Sequence, residues 1–113
     1  MTTKLLEGKK ALITGSRRGI GAGIAQLFAE HGADVGINDV VRDDEADKTI
    51  AAVESLGRKA SWHQADVGNA DDRSRMLDEF VAEHGRIDIL VNNAVASRDM
   101  RFTEITEEFW DHL

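Results

Sequence analysis

The chain contains no cysteine and no proline among its 113 residues. Without cysteine it can build neither a disulfide framework nor a thiolate metal centre, which suits a reducing, cytoplasmic setting. Tyrosine is also missing, and aromatic residues make up only 5% of the chain. No apolar run approaches the length of a membrane span, and residues 1–10 (MTTKLLEGKK) lack the apolar core of a signal peptide. Basic residues are too few for a sequence-blind nucleic-acid binder: 14 Lys and Arg face 21 Asp and Glu, a net charge of −7. Low-complexity tracts, linkers and internal repeats are absent as well. What remains, 42% hydrophobic and 31% charged, is enough for one small globular domain over residues 1–113.

One rhythm runs through that domain. Residues 9–14 (KKALIT) form a short apolar run that reads as a buried strand. From 20 to 31, Ile20, Ile24, Leu27 and Phe28 recur at helical spacing, and Gly32 supplies a stop. Residues 33–39 (ADVGIND) alternate as a second strand. A helix over 44–56 follows, with Asp43, Asp44 and Glu45 at its favourable end and Gly57 as its stop. The pattern repeats with a weaker strand at 59–64 and a helix capped by Asn69 and running to His84. Its expected buried stripe is Met76, Leu77, Phe80 and Val81, and Gly85 ends it. Residues 87–93 (IDILVNN) are the most strongly apolar strand candidate, and a last helix opens near Thr106. Strands alternating with helices predict a doubly wound α/β fold, a parallel sheet with helices on both faces.

The turn between the first strand and first helix reads TGSRRGIGAG, residues 14–23. Glycines at 15, 19 and 21 match the turn that binds a dinucleotide pyrophosphate in such folds. Gly15 permits the tight turn, Gly19 a close backbone approach to phosphate, and Gly21 helix-to-sheet packing. Exposed amides and the helix dipole would then hold the anion without a charged side chain. A flexible turn would explain the glycines alone, but not the strand before, the helix after and the acid downstream. No Gly-Lys-Ser/Thr follows, so the turn is not of the Walker type.

That acid is Asp39, 18 residues beyond Gly21 at the end of the second strand. Its carboxylate can accept hydrogen bonds from both adenosine ribose hydroxyls, whereas a 2′-phosphate would meet like-charge repulsion. Arg17, Arg18 and Arg42 could offset part of that repulsion. The expected cofactor is therefore NAD, with NADP as the alternative.

These residues carry a family resemblance. TGSRRGIG (14–21) resembles the Thr-Gly-x-x-x-Gly-x-Gly turn of the short-chain dehydrogenase/reductase family. Asp66-Val67 after the third strand and Asn92-Asn93-Ala94 after the fourth resemble two further family motifs in the same order. The resemblance implies that Asp66 holds the adenine amino group and the Val67 amide a ring nitrogen. It further implies that Ser16, Arg17, Arg18 and the Ile20 amide belong to the phosphate turn, and that Asn92, Asn93 and Ala94 line the ribose side. Val95 departs from the family's usual glycine.

The family's catalytic residues are a tyrosine with a lysine four positions later, a serine on the preceding strand, and an asparagine in the fourth helix. This chain has no tyrosine, and TEEFWDHL (106–113) resembles the opening of that helix, short of the asparagine. No catalytic residue is therefore assigned. The resemblance implies the N-terminal, cofactor-binding part of a longer oxidoreductase that moves a hydride between a nicotinamide cofactor and an alcohol or carbonyl substrate. The parent is expected to be a homo-oligomer, with neither a nucleic acid nor a membrane as partner. NADPH-dependent reduction of a 3-oxoacyl thioester, a non-catalytic dinucleotide-binding module and a methyltransferase are the alternatives. Asp66-Val67 and Asn92–Ala94 argue against the last.

Other residues receive plainer readings. His31 and His84 close helices, where the dipole favours them. His63 and His112 have no partner at metal-ligand spacing, so no metal site is assigned. Asp71, Asp72, Asp78 and Glu79 are expected on a solvated helix face. Arg98, Asp99 and Arg101 follow the fourth strand in a loop expected either to border the substrate or to be a plain exposed charged loop, and Trp62 and Trp110 are expected to be packing residues. The apolar 87–91 segment, with no later strand to pair with it, predicts an exposed edge and a tendency to associate.

Overall fold

The structure, a computed structural model, describes residues 4–94. Val95, the fourth helix expected near Thr106, Arg98, Asp99, Arg101, Trp110 and His112 lie outside the described residues. Within them the order is β1 (Lys10–Ile13), α1 (Gly19–Glu30), β2 (Asp34–Asp39), α2 (Asp44–Ser55), β3 (Ala60–Gln64), α3 (Ala70–His84) and β4 (Ile89–Val91). The four strands are parallel in the spatial order β3-β2-β1-β4. Successive strands step outward on one side of β1, and the chain then crosses to its other side for β4. The strand order therefore reverses between β1 and β4.

Strand alternation divides the core in two. Ile13, Val35 and Ile37 pack with Ala25 and Ala29 of α1 and Val53 of α2. Leu12, on the other face of β1, packs with Met76 and Phe80 of α3. One sheet face thus carries α1 and α2 and the other α3, as a doubly wound fold requires. Gly36 lies where a Cβ would come within 2.7 Å of the Phe80 ring, so the bare backbone of β2 admits that ring against the sheet.

Two helices bury different residues from those their apolar spacing predicts. On α1, Ile24 and Phe28 pack partly against the core, but Ile20 and Leu27 are 77% and 51% exposed. The buried stripe is Gly21, Ala22, Ala25 and Ala29. Small residues let the helix backbone approach the sheet, and the longer side chains are displaced to its flanks. On α3, Met76 and Phe80 are buried as expected, whereas Val81 is exposed and His84 occupies the next inward position.

His84 is therefore no charged helix terminus. Burial and the nearby positive groups hold its pKa down at about 4, so it is neutral at ordinary pH. Its Nε2 lies 2.8 Å from Ser61 Oγ, and His63 Nε2 lies 2.6 Å from the same oxygen. A further difference concerns β4. The apolar run promises seven residues, but only Ile89–Val91 join the ladder, and β4 pairs with β1 alone among the described residues. The Asp88 carboxylate accepts the Lys10 N–H at 2.8 Å, and the Asn93 and Ala94 N–H groups turn to Thr14 Oγ1. Side chains thus end the ladder at both of its ends.

Candidate functional site

The C-terminal ends of the strands open into a cleft of about 450 Å³. Its position follows from topology. In a doubly wound sheet the crevice lies at the carboxyl ends of the strands where the strand order reverses, here between β1 and β4.

Gly15 and Gly19 have φ of +61° and +62°, in the left-handed region that strains any residue with a β-carbon. A Cβ on Gly15 would also come within 2.7 Å of Ala94 Cα, which fixes the spacing between the β1 and β4 loops. Gly21 is required for space alone, because a Cβ there would crowd the Gly15 carbonyl, Asn93 Nδ2 and Ser16 Cα. A Cβ on Gly19 would meet nothing within 4 Å. Gly15 and Gly21 are thus closed in by protein, whereas Gly19 borders open space in the cleft.

The N-terminus of α1 differs from its neighbours. Helix α2 is capped by Asp43, whose carboxylate accepts the Ala46 N–H, and α3 by Asn69, which accepts from Asp72 N–H. Both carry acids in the first turn. At α1 the N-cap residue is Arg18, with no side-chain cap bond and no acid in the first turn. The partial positive charge of this helix end is left for something else to neutralise.

The loops are braced by polar side chains of the first two strands. Thr14 Oγ1 donates to the Val91 carbonyl at 3.2 Å and accepts the Asn93 and Ala94 N–H groups, both at 3.0 Å. Asn93 Nδ2 donates to the Gly15 carbonyl at 3.0 Å. Asn38 is fully buried. Its Oδ1 accepts the Gly15 N–H, and its Nδ2 donates to the carbonyls of His63 (2.9 Å) and Ala65 (3.2 Å). Ser16 Oγ donates to the Ile13 carbonyl and accepts the Asn38 N–H. One amide thereby ties together the ends of β1, β2 and β3.

Of the residues singled out from sequence, Gly15, Arg17, Arg18, Gly19, Asp39, Asp66, Val67, Asn93 and Ala94 line the cleft. Ser16 and Gly21 are buried behind it as structural supports, and Ile20 is exposed at the start of α1. Asn92 is exposed and borders a separate small cavity beside Leu90 and Met76. Asn38, Val40 and Ala65 also line the cleft and were not singled out. Asn38 had a legible signal: it is an amide that follows the apolar core positions Val35 and Ile37 within the same strand.

Asp39 is half-buried at the mouth, with Arg17 Nε at 3.5 Å from its Oδ2. Asp66 Oδ1 accepts the Gly68 N–H at 2.9 Å, closing a tight turn after β3. The Asp72 carboxylate accepts the Asp66 N–H, which holds it below the usual carboxylate range. Asp72 is thus a loop brace, unlike Asp71, Asp78 and Glu79, which are exposed as expected. Among the described residues no group of three or more His, Cys, Asp or Glu side chains could hold a metal.

Comparison with known proteins gives a consistent picture. The family model described as short chain dehydrogenase matches residues 9–113. The 3-oxoacyl-[acyl-carrier-protein] reductase FabG of Chlamydia muridarum is 44% identical over 111 residues, covering 96% of this chain and 44% of that protein. A short chain dehydrogenase from Burkholderia cenocepacia, solved in complex with NADP, is 39% identical with a TM-score of 0.78, covering 95% of this chain and 44% of the other. An NAD+-bound xylitol dehydrogenase is 33% identical with a TM-score of 0.76, covering 80% of this chain and 35% of the other. The chain thus spans less than half the length of these relatives.

Proposed function

Because the chain belongs to the short-chain dehydrogenase family, we propose that its cleft holds the adenine dinucleotide of an oxidoreductase acting between alcohol and carbonyl. One observation carries the reading. The uncapped N-terminus of α1, opened by Gly19, faces the same crevice as the Asp39 carboxylate. A dinucleotide has a matching pair of groups, an anionic pyrophosphate and a ribose rich in hydroxyls.

The described residues suit that ligand. The amides at the start of α1 would bind the pyrophosphate, with Arg17 and Arg18 nearby. Asp39 would accept the ribose hydroxyls, Asp66 and Val67 would orient the adenine, and Asn93 and Ala94 would line the ribose side. Asn92 would belong with them as part of the loop after β4. The dinucleotide, when bound, supplies or receives the hydride. This chain's part is to bind and orient it. With no tyrosine in its sequence, it has no general acid of the family's type.

Asp39 favours NAD over NADP by leaving no compensated place for a second phosphate. Reduction of a 3-oxoacyl thioester with NADPH is the second reading, favoured by the 44% identity to FabG. A homo-oligomeric, cytoplasmic parent enzyme acting on a small alcohol or carbonyl belongs to the same proposal. No helix among the described residues is long and apolar enough to cross a membrane.

The deciding experiment is titration with NADH and NADPH before and after Asp39→Ala. Wild type should prefer NADH, and the substitution should narrow the gap by about 1–3 kcal/mol, the usual worth of a hydrogen bond to a charged group. A wild-type preference for NADPH would refute the NAD assignment.

A further inference from the structure

The mouth of the cleft contains a guanidinium that ought to undo the selectivity of Asp39. Arg17 lies beside that carboxylate, its side chain only 13% exposed. A free arginine there would be a ready ligand for a 2′-phosphate, to which its planar fork is well matched.

Arg17 is not free. Its Nη1 donates to Asp43 Oδ2 at 2.5 Å and lies 3.4 Å from Glu45 Oε2. Its backbone is fixed too, because Thr49 Oγ1 donates to the Arg17 carbonyl at 2.8 Å. Arg18, 65% exposed, shares Glu45 at 3.5 Å. Asp39, Asp43 and Glu45 therefore surround Arg17 with three carboxylates, and two of these sit on the start of α2. The Nε–H is left over. It is buried without a hydrogen-bond acceptor, and its 3.5 Å contact with Asp39 Oδ2 is an ion pair rather than a hydrogen bond.

A buried donor beside a carboxylate calls for a group that both accepts and donates. A hydroxyl can do this, its oxygen accepting a hydrogen bond from Nε–H while its own O–H donates one to Asp39. A phosphate oxygen can only accept, and it would be repelled by Asp39. We infer that Arg17, clamped by Asp43 and Glu45, is a specificity-determining residue that reads a ribose hydroxyl together with Asp39 and is withheld from a 2′-phosphate. This deepens the dinucleotide reading and rests on it. Asp43 has a double role, since its Oδ1 caps α2 through the Ala46 N–H while its Oδ2 holds Arg17.

The test is the double variant Asp43→Asn, Glu45→Gln, with and without Arg17→Gln. Asparagine caps a helix as well as aspartate, so α2 should survive, and circular dichroism checks that it does. Dissociation constants for NADH and NADPH are measured by fluorescence titration. Removing the clamp should improve NADPH binding relative to NADH by about tenfold, and Arg17→Gln should cancel that gain. The comparison is a ratio because lost negative charge would strengthen binding of either anion.

An unchanged ratio, or a gain that persists without Arg17, would overturn the inference while leaving the cofactor site intact. A wild type that binds neither dinucleotide would instead overturn the reading on which it rests.

Discussion

Lowering the pH from 7.5 to 5 should destabilise this protein through His84. The imidazole is buried at the end of α3, stacked on Phe80 with ring centroids 4.3 Å apart. Burial depresses its pKa most, Lys59 adds to the effect, and Asp34 opposes it, leaving a value of about 4. Across the sheet-facing side, Ser61 Oγ lies between Nε2 of His84 and Nε2 of His63. A serine hydroxyl has one proton, so it donates to one ring and accepts from the other, an arrangement that suits two neutral imidazoles.

In the unfolded chain His84 protonates near 6.5, whereas in the folded chain it resists until about pH 4. Its contribution is fully present above pH 6.5 and is lost progressively as the pH falls toward 4. At 1.36 kcal/mol per unit, about 3 kcal/mol is at stake, of which about 2 is gone by pH 5. His63 is depressed in the same direction, chiefly by burial and despite Glu79, and steepens the loss. Asp34, Asp43, Asp72 and Asp88 all titrate below their ordinary value of 3.8, so their stabilisation is lost only at lower pH.

Urea denaturation at constant ionic strength, at pH 7.5 and 5, measures the effect. His84→Leu should remove most of the pH dependence while keeping the packing on Phe80. Equal stability at the two pH values in wild type, or an undiminished slope in the variant, would refute the argument.

Gly19→Val should cost about 1–2 kcal/mol in a thermal melt, because φ is +62° there, and should also abolish the rise in melting temperature with NADH. An undiminished NADH effect would remove this turn from the phosphate site. Asn38→Ala should destabilise the fold by about 3 kcal/mol, since the Gly15 N–H and the His63 and Ala65 carbonyls lose their partner together, and should weaken NADH binding with it. A denaturation midpoint within error of wild type would show that the strand ends do not depend on this amide. The 113-residue polypeptide, lacking tyrosine, should oxidise no alcohol with NAD, and turnover above background would show that another residue serves as the acid.

The sequence by itself determined the order of elements, the parallel α/β class and most of the residues that line the cleft. Apolar runs alternating with helical spacing, glycines at 15, 19 and 21 and an acid at 39 are local patterns, because turns, caps and strands are specified by neighbours in the chain. Which residues of α1 face the sheet was decided elsewhere. The apolar spacing of α1 points to Ile20 and Leu27, yet Ala22, Ala25 and Ala29 face the sheet, because close approach of a helix to a sheet rewards small side chains. The neutrality of His84 likewise depends on Ser61 and Phe80, 23 and 4 residues away, and on burial that no local pattern encodes. Asn38 and the clamp on Arg17 belong to the same class. A buried amide becomes a hub only when three strand ends converge on it, and Arg17 is held only because the start of α2 lies beside the turn after β1. Charges and polar groups act through space, so tertiary structure alone settled how Asn38, Arg17 and His84 are partnered.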